Sequence, residues 1–259
     1  ERLPGTALGA RFAEVLAGDP SIQMAYGRMD ISLDRFFDDA LLITYRPADD
    51  QSAIPEAEGS GFASRVARDI FRAQLGSDGV KHFRWWTEAA LNPRIAGMAT
   101  RNSLMNEPVV TLDDRDPSRT DILHEYFVAP ARFAEFVEAC KAVIPASYQQ
   151  LLNITLRYVN TDRESVLAYA GEPRIAAVML FSQEKTVRGE ADMARMTEAL
   201  IERVIAIGGS YYLPYRPHAR LDQFERAYPR AKAFVAAKKE ADPGLLFRNG
   251  LWDNYLSRI

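Results

Sequence analysis

The sequence predicts an α+β fold, an antiparallel sheet with helices packed on one face. Three observations carry that expectation. Between residues 121 and 218, four segments alternate or run apolar like strands. Two segments between them repeat apolar residues at helical spacing. Proline or glycine marks the points where the helices should begin and end. The resulting order, β-α-β-β-α-β, is the split βαβ arrangement.

In chain order, Ser21 to Ile31 and Ala40 to Tyr45 read as strands, separated by an acidic turn at Asp38-Asp39. Asp49 to Ser60 is polar, holds Pro55 and Gly59, and reads as a loop. Phe62, Val66 and Ile70 recur one helical turn apart, so Gly61 to Leu75 is expected to be a helix, with Lys81 to Leu91 a second. Thr100 to Thr120 is irregular, with Pro108 and Pro117. It reads as a long loop, of the kind that serves a site or an interface. These parts make up a first region, 1–120.

Region 121–218 is the regular core. Ile122 to Val128 is a strand, and Pro130 takes the favoured first-turn position of a helix reaching Ile144. In Asn153 to Val159, Ile154, Leu156 and Tyr158 point to one face, and Thr155, Arg157 and Val159 to the other. Ile175 to Ser182 is the third strand. Met193, Met196, Leu200, Val204 and Ile207 line the apolar face of a second helix, stopped by Gly208-Gly209. Ser210 to Arg216 is the last strand. Counted along the chain, a ferredoxin-like sheet has the strand order 4-1-3-2, which sets Asn153–Val159 and Ser210–Arg216 at opposite edges. Two helices cover one face of this sheet, so the other needs a partner. Region 219–259 reads as a helical segment broken by proline, followed by an aromatic tail.

Composition narrows the function. The chain has 259 residues, 47% apolar and 26% charged, as in an ordinary globular protein. A net charge of −3 creates no general field for nucleic acid. The longest apolar runs, such as Ile175 to Phe181, are too short to span a bilayer. No P-loop, GxGxxG, GxSxG or HExxH pattern occurs, and His82, His124 and His218 lack metal-ligand spacing, so no metal site is expected. Cys140 lies on the stripe of Phe133, Phe136, Val137 and Ile144 and reads as a small buried hydrophobe. Lys81-His82-Phe83-Arg84-Trp85-Trp86 mixes basic and aromatic residues. With an acidic overall balance it reads as an amphipathic helix tucking in its tryptophans, not as a nucleic-acid platform.

The bare sheet face is where binding chemistry is expected. Thr155 and Arg157 share it. An arginine there either offers its planar fork to a ligand or pairs with a carboxylate at the sheet edge. Tyr211, Leu213 and Tyr215 share one face of the last strand. The Tyr215 hydroxyl either donates a hydrogen bond in acid–base chemistry or only packs.

Several stretches carry a family resemblance when taken together. They are His124-Glu125-Tyr126-Phe127-Val128-Ala129-Pro130, Thr155-Leu156-Arg157, Gly208 to Tyr215, Ala227-Tyr228-Pro229, and Asp242-Pro243 to Phe247-Arg248-Asn249. Their order resembles the C-terminal cap, or substrate domain, of FAD-linked oxidases of the vanillyl-alcohol oxidase superfamily, in the aldonolactone and alditol oxidase branch. The resemblance runs from about His124 to Tyr255. Arg157 matches the branch's Glu-Ile-Arg triplet, whereas Thr155 replaces its glutamate. Tyr215 stands where the branch carries an active-site lysine, a departure that bears on polyol or lactone specificity.

The resemblance implies a cap closing a small-molecule site over FAD, with the flavin held mainly by an N-terminal FAD-binding domain. It implies hydride transfer from an alcohol, sugar or lactone-type substrate. Arg157 and Tyr215 would be the catalytic contacts, and Thr155, Tyr211, Leu213 and Glu125 would line the substrate site. Asn249 would reach the cofactor, and Trp252 and Tyr255 would either follow the chain back toward the flavin domain or fold back on the chain's own core. The lysine-free aromatic face also suits a dehydrogenase, epimerase or reductase acting on a larger apolar substrate. From another class, a ferredoxin-like module can be a non-enzymatic binding domain.

Overall fold

The protein is described by a computed structural model covering residues 1–49, 68–91, 98–105 and 116–259. The expected loop at 49–60 and the first part of the helix at 61–75 fall almost wholly outside these residues; 68–72 is helical. So does 106–115, the middle of the expected long loop.

Seven strands form one antiparallel sheet among the described residues. They are β1 (Arg2–Pro4), β2 (Met24–Met29), β3 (Asp39–Tyr45), β4 (Arg119–Val128), β5 (Gln150–Val159), β6 (Arg174–Glu184) and β7 (Ser210–Tyr211). Their spatial order is β1-β3-β2-β5-β6-β4-β7. The last four strands lie as β7-β4-β6-β5, which is 4-1-3-2 along the chain. The N-terminal strands extend this sheet, because β2 pairs with β5 through Gly27↔Leu156 and Arg28↔Thr155. β5 is therefore an interior strand and not the expected edge.

The helices are α1 (Leu8–Gly18), α2 (Asp78–Trp86), α3 (Arg101–Met105), α4 (Phe133–Val143), α5 (Val187–Ala206), α6 (Leu221–Ala227), α7 (Ala231–Ala241) and α8 (Gly250–Asn254). α2 continues into a π-helical turn, Thr87–Leu91. α3 occupies part of the segment expected to be loop. No described helix is long and apolar enough to cross a membrane.

Strand alternation selects what each face buries. Ile122 and Tyr126 of β4, Ile154 and Leu156 of β5, and Ala177, Met179 and Phe181 of β6 share one core. That core includes Phe133, Phe136, Val137 and Cys140 of α4, and Met193, Met196, Leu200 and Val204 of α5. The two helices therefore lie on the same side of the sheet, as the sequence order requires. Cys140 is fully buried, and desolvation pushes its thiol upward, away from the reactive thiolate.

α1 joins the same layer through Leu8 and Phe12. Its approach to α4 needs a residue without a side chain. A Cβ on Gly9 would lie 2.3 Å from Phe133 Cβ and 2.7 Å from the Pro130 carbonyl oxygen. Gly9→Ala should thus cost about 1–3 kcal/mol of stability through overpacking. The expected signature is a lower urea midpoint with an unchanged slope. A midpoint equal to the parent's would show that α1 shifts without loss.

One C-terminal expectation is corrected, and of the two readings of the tail one is realised. The last strand stops at Tyr211, where Tyr126↔Tyr211 and Phe127↔Ser210 are its only pairs. One more backbone bond, Tyr212 N–H to Glu125 O at 2.9 Å, follows before the chain turns at Leu213-Pro214. Pro214 has no N–H with which to extend a ladder. The aromatic tail also folds onto its own core. Trp252 and Tyr255 are buried, Tyr255 stacks on Phe224, and its hydroxyl donates to Ala219 O at 2.8 Å. The exposed apolar side chains of this region are Leu246 (83%) and Phe247 (79%) instead. They sit on a turn whose Leu246 and Phe247 N–H groups donate to the Asp242 carboxylate.

Candidate functional site

The second sheet face is covered at both ends and open between them. At the β2–β5 end the cover comes from residues 68–91. Arg84 of α2 donates to Leu152 O at 2.8 Å, Asn153 Oδ1 at 3.0 Å and Gln74 Oε1 at 3.1 Å. Leu152 lies where the β5–β6 register slips between Leu151 and Asn153. Its carbonyl is thus outside the regular ladder, and Arg84 satisfies it. Arg28 donates to Asn153 Oδ1 at 2.7 Å and Thr155 Oγ1 at 2.8 Å. Arg72 closes a further bidentate contact on Asp121 at 2.8 and 2.5 Å.

At the other end stands an aromatic wall. Phe127 stacks on Tyr169 at 4.1 Å between ring centroids, Tyr212 meets both edge-on, and Tyr215 lies 5.0 Å from Tyr212. Between wall and cover run two rungs of the sheet. One reads Arg28, Thr155, Val178, Glu125 across four strands; the next reads Arg157, Ala176, Phe127. Of the small residues on the floor that these rungs form, Val178 is half-buried, while Ala176 is fully covered by its neighbours.

Arg157 and Glu125 flank that floor. Arg157 is exposed and, among the described residues, has no hydrogen bond or ion pair. Glu125 is half-buried, and its carboxylate likewise has no hydrogen-bond partner among them. Burial raises the Glu125 carboxyl above its ordinary value, with the Arg157 guanidinium opposing. Burial also raises the Tyr215 hydroxyl, helped by Glu125 and Tyr212 and opposed by Arg157. Tyr169 is raised by burial, then by Tyr212 and Glu125. These five groups therefore share one electrostatic neighbourhood. Chemically, they supply a half-buried carboxyl able to exchange a proton, a planar guanidinium fork, tyrosine hydroxyls and an apolar aromatic wall.

The structure sorts the sequence-expected residues. Arg157, Glu125 and Tyr215 come together. Thr155 sits on the same face, but its Oγ1 already accepts from Arg28. Tyr211 and Leu213 do not belong there. Tyr211 is buried on the helix side, edge-on to Tyr228, whose hydroxyl donates to Tyr211 O. Leu213 packs against the same helix-side core. The expected common face of Tyr211, Leu213 and Tyr215 fails because the strand ends first. Tyr212 takes the open-face position by alternation, and Tyr215 returns to it through the turn. Asn249 is exposed and caps α8, its Oδ1 accepting from Trp252 N–H at 3.0 Å, so only its amide N–H groups remain to offer. Sequence reasoning missed Tyr169 and Tyr212. Tyr212 differs from Tyr211 by a single step of strand parity, and Tyr169 lies in the β5–β6 connection.

His82 Nε2 lies 2.8 Å from an Asp34 carboxylate oxygen and 3.4 Å from one of Asp78, a cluster of one imidazole and two carboxylates beside α2. Comparison of the chain with protein-family models and with curated proteins gives no match.

Proposed function

We propose that this chain is the substrate-binding cap of an FAD-linked oxidoreductase that oxidises a small alcohol, sugar or lactone-type molecule. One observation supports the reading above others: a guanidinium and a half-buried carboxylate, both without hydrogen-bond partners among the described residues, stand beside a tyrosine hydroxyl on an open sheet face. Uncompensated polar groups in a half-buried depression fit a ligand that pairs with them. The fit concerns the reacting end only. Among the described residues no glycine-rich loop or helix terminus forms a cradle for the FAD phosphates, so an N-terminal FAD-binding domain would hold them.

When bound, the flavin supplies hydride acceptance. In this reading Arg157 orients a substrate oxygen through its fork, Glu125 exchanges the hydroxyl proton, and Tyr215 donates a hydrogen bond. Thr155, with Arg28 behind it, lines the floor, whereas Asn249 caps a helix packed on the opposite, helix-bearing side of the sheet and has no part in this reading. The wall of Phe127, Tyr169, Tyr212 and Tyr215 excludes water. That same wall favours a second reading, a flavin-dependent dehydrogenase, epimerase or reductase whose substrate carries a larger apolar or planar group.

The visible spectrum tests the division of labour. Purified alone, this chain should carry no flavin; joined to an N-terminal FAD-binding domain encoded with it, it should show a stoichiometric flavin band. Stoichiometric flavin on the isolated chain would place the cofactor site here instead. Absence of flavin from the joined protein would remove the assignment.

A further inference from the structure

Three ligating side chains converge where the β2–β3 connection meets α2. Asp78 and His82 stand four residues apart on α2, so they share one face of the helix. Asp34 reaches them from the connection between the strands. One ligand atom from each lies within 4.8 Å of the other two; His82 Nε2 is 2.8 Å from Asp34 Oδ1 and 3.4 Å from Asp78 Oδ2. The other Asp78 oxygen, Oδ1, accepts from Leu33 N–H at 2.7 Å, which orients the carboxylate from behind. A third carboxyl group is close. Asp30 is 1% exposed, its Oδ2 has no hydrogen-bond partner among the described residues, and His82 is among the charges it feels. Arg35 of the same connection pairs with Asp39 at 2.6 Å. Lys81 feels the Asp78 charge, but it is buried and forms no ion pair with it among the described residues. The histidine spacing alone does not reveal this set, since two of its donors are carboxylates.

We propose that Asp34, Asp78 and His82 bind one divalent transition-metal ion of the zinc type, with water completing a four-coordinate shell. Donors about 2.0–2.2 Å from a tetrahedral ion stand roughly 3.2–3.6 Å apart, so small side-chain rotations convert the present spacing into coordination. The donor set selects the ion. A neutral imidazole favours zinc and its neighbours over magnesium and calcium, which take oxygen ligands, and the lack of a thiolate disfavours copper(I). The charge balance calls for a further cation. One imidazole, cationic only when protonated, faces two carboxylates and has the Asp30 carboxyl nearby. An exposed ion pair of this kind contributes little to stability, whereas a bridging metal would clip the β2–β3 connection to α2. The clip would hold the helix whose Arg84 covers the second sheet face. The site does not rest on the flavin reading.

The test uses the untagged 259-residue chain after chelator treatment and dialysis. Titration with zinc chloride is followed by calorimetry, and thermal unfolding is recorded with and without the ion. The expected result is a single equivalent bound and a rise in Tm. Binding should weaken by at least about tenfold in His82→Gln and in Asp34→Asn, since losing even an outer-shell partner commonly costs that much. Asp34 is exposed in the connection between strands, so Asp34→Asn carries the test if His82→Gln does not fold. Parent-like affinity in either folded variant would place the ion on other groups, such as His218 with Glu190, and overturn the proposal. Absence of saturable binding by the parent overturns it equally. So does an equal rise in Tm with magnesium chloride, which would mark charge screening alone.

Discussion

Arg157→Ala is expected to slow turnover of the flavin-loaded protein by about a hundred- to a thousandfold while leaving its flavin content unchanged. The loss of one fixed donor aimed at developing charge in a dry site commonly costs about 2.7–4 kcal/mol. Arg157 makes no hydrogen bond or ion pair among the described residues, so the variant breaks none, although it removes the charge that opposes the burial of Glu125. Its main effect should thus fall on chemistry and not on stability. Arg157→Lys should recover little, because an ammonium lacks the planar fork that fixes two donors at once. Tyr215→Phe keeps the wall contact with Tyr212 and removes only the hydroxyl, which separates hydrogen bonding from packing. Steady-state kinetics together with the flavin spectrum check all three. Parent-like turnover in Arg157→Ala and Tyr215→Phe would reduce both residues to surface and packing roles.

Acidification from pH 7 to pH 4 should weaken the fold by about 3 kcal/mol through His124 alone. Burial lowers this imidazole to about 3, with His218 and Arg216 adding to the effect. Its neighbours explain the penalty for charging it. Thr197 Oγ1 lies 3.3 Å from Nε2, and Phe181 and Tyr126 pack around the ring. His218 lies 5.8 Å away between ring centroids, and the nearby Glu190 is already engaged by His218, Arg216 and Gln183. Below pH 6.5 the unfolded chain takes up a proton that the folded chain refuses. Stability therefore falls by about 1.4 kcal/mol per pH unit from roughly 6.5 until the folded value near 3. Asp30 and Glu125 act in the opposite sense, since burial raises both and protonation relieves them as pH falls. Glu190, held low first by the Gln183 hydrogen bond, loses stability only as pH drops below the ordinary carboxylate range. Urea unfolding of parent and His124→Gln between pH 7 and pH 4.5 isolates the histidine. The parent should show the slope and the variant should largely lose it. Parallel curves would place the acid sensitivity elsewhere.

The parts of the fold that were legible in sequence are those set by periodicity. Ile154, Leu156 and Tyr158 alternate, and Met193, Met196, Leu200 and Val204 repeat at helical spacing. Burial of each set on one side requires the sheet and helix layers that form. α1 was overlooked although Leu8, Phe12, Val15 and Leu16 carry the same helical spacing. The alternation of Tyr211, Leu213 and Tyr215 imitates a strand, but β4 offers β7 only a short stretch of partner and Pro214 ends the pairing. Arg157 and Thr155 followed from alternation, which puts them on the open face, whereas Glu125 was named only through the family resemblance. The rest depends on contacts distant in sequence. Arg28 reaching Thr155, and Arg84 reaching the slipped carbonyl of Leu152, leave no local pattern to read. Trp252 and Tyr255 looked like a tail meant for another domain, yet Phe224 and Ala219 already provide their partners.

The uneven ladder has a consequence for motion. β4 and β6 share ten register pairs, whereas β2 meets β5 through only two. Opening in such a sheet begins where the fewest bonds must break, and segments detach as cooperative units. The hairpin of β2 and β3, with β1 at its edge, can part from the rest at Gly27 and Arg28 while the β4–β6 ladder stays closed. That parting line runs beside Thr155 and under Arg84. The long β4–β6 and β5–β6 ladders thus carry Glu125, Phe127 and Arg157, whereas Tyr212 and Tyr215 follow β7. β7 meets β4, as β2 meets β5, through two register pairs, so local opening has two places to begin, one on each side of the candidate site.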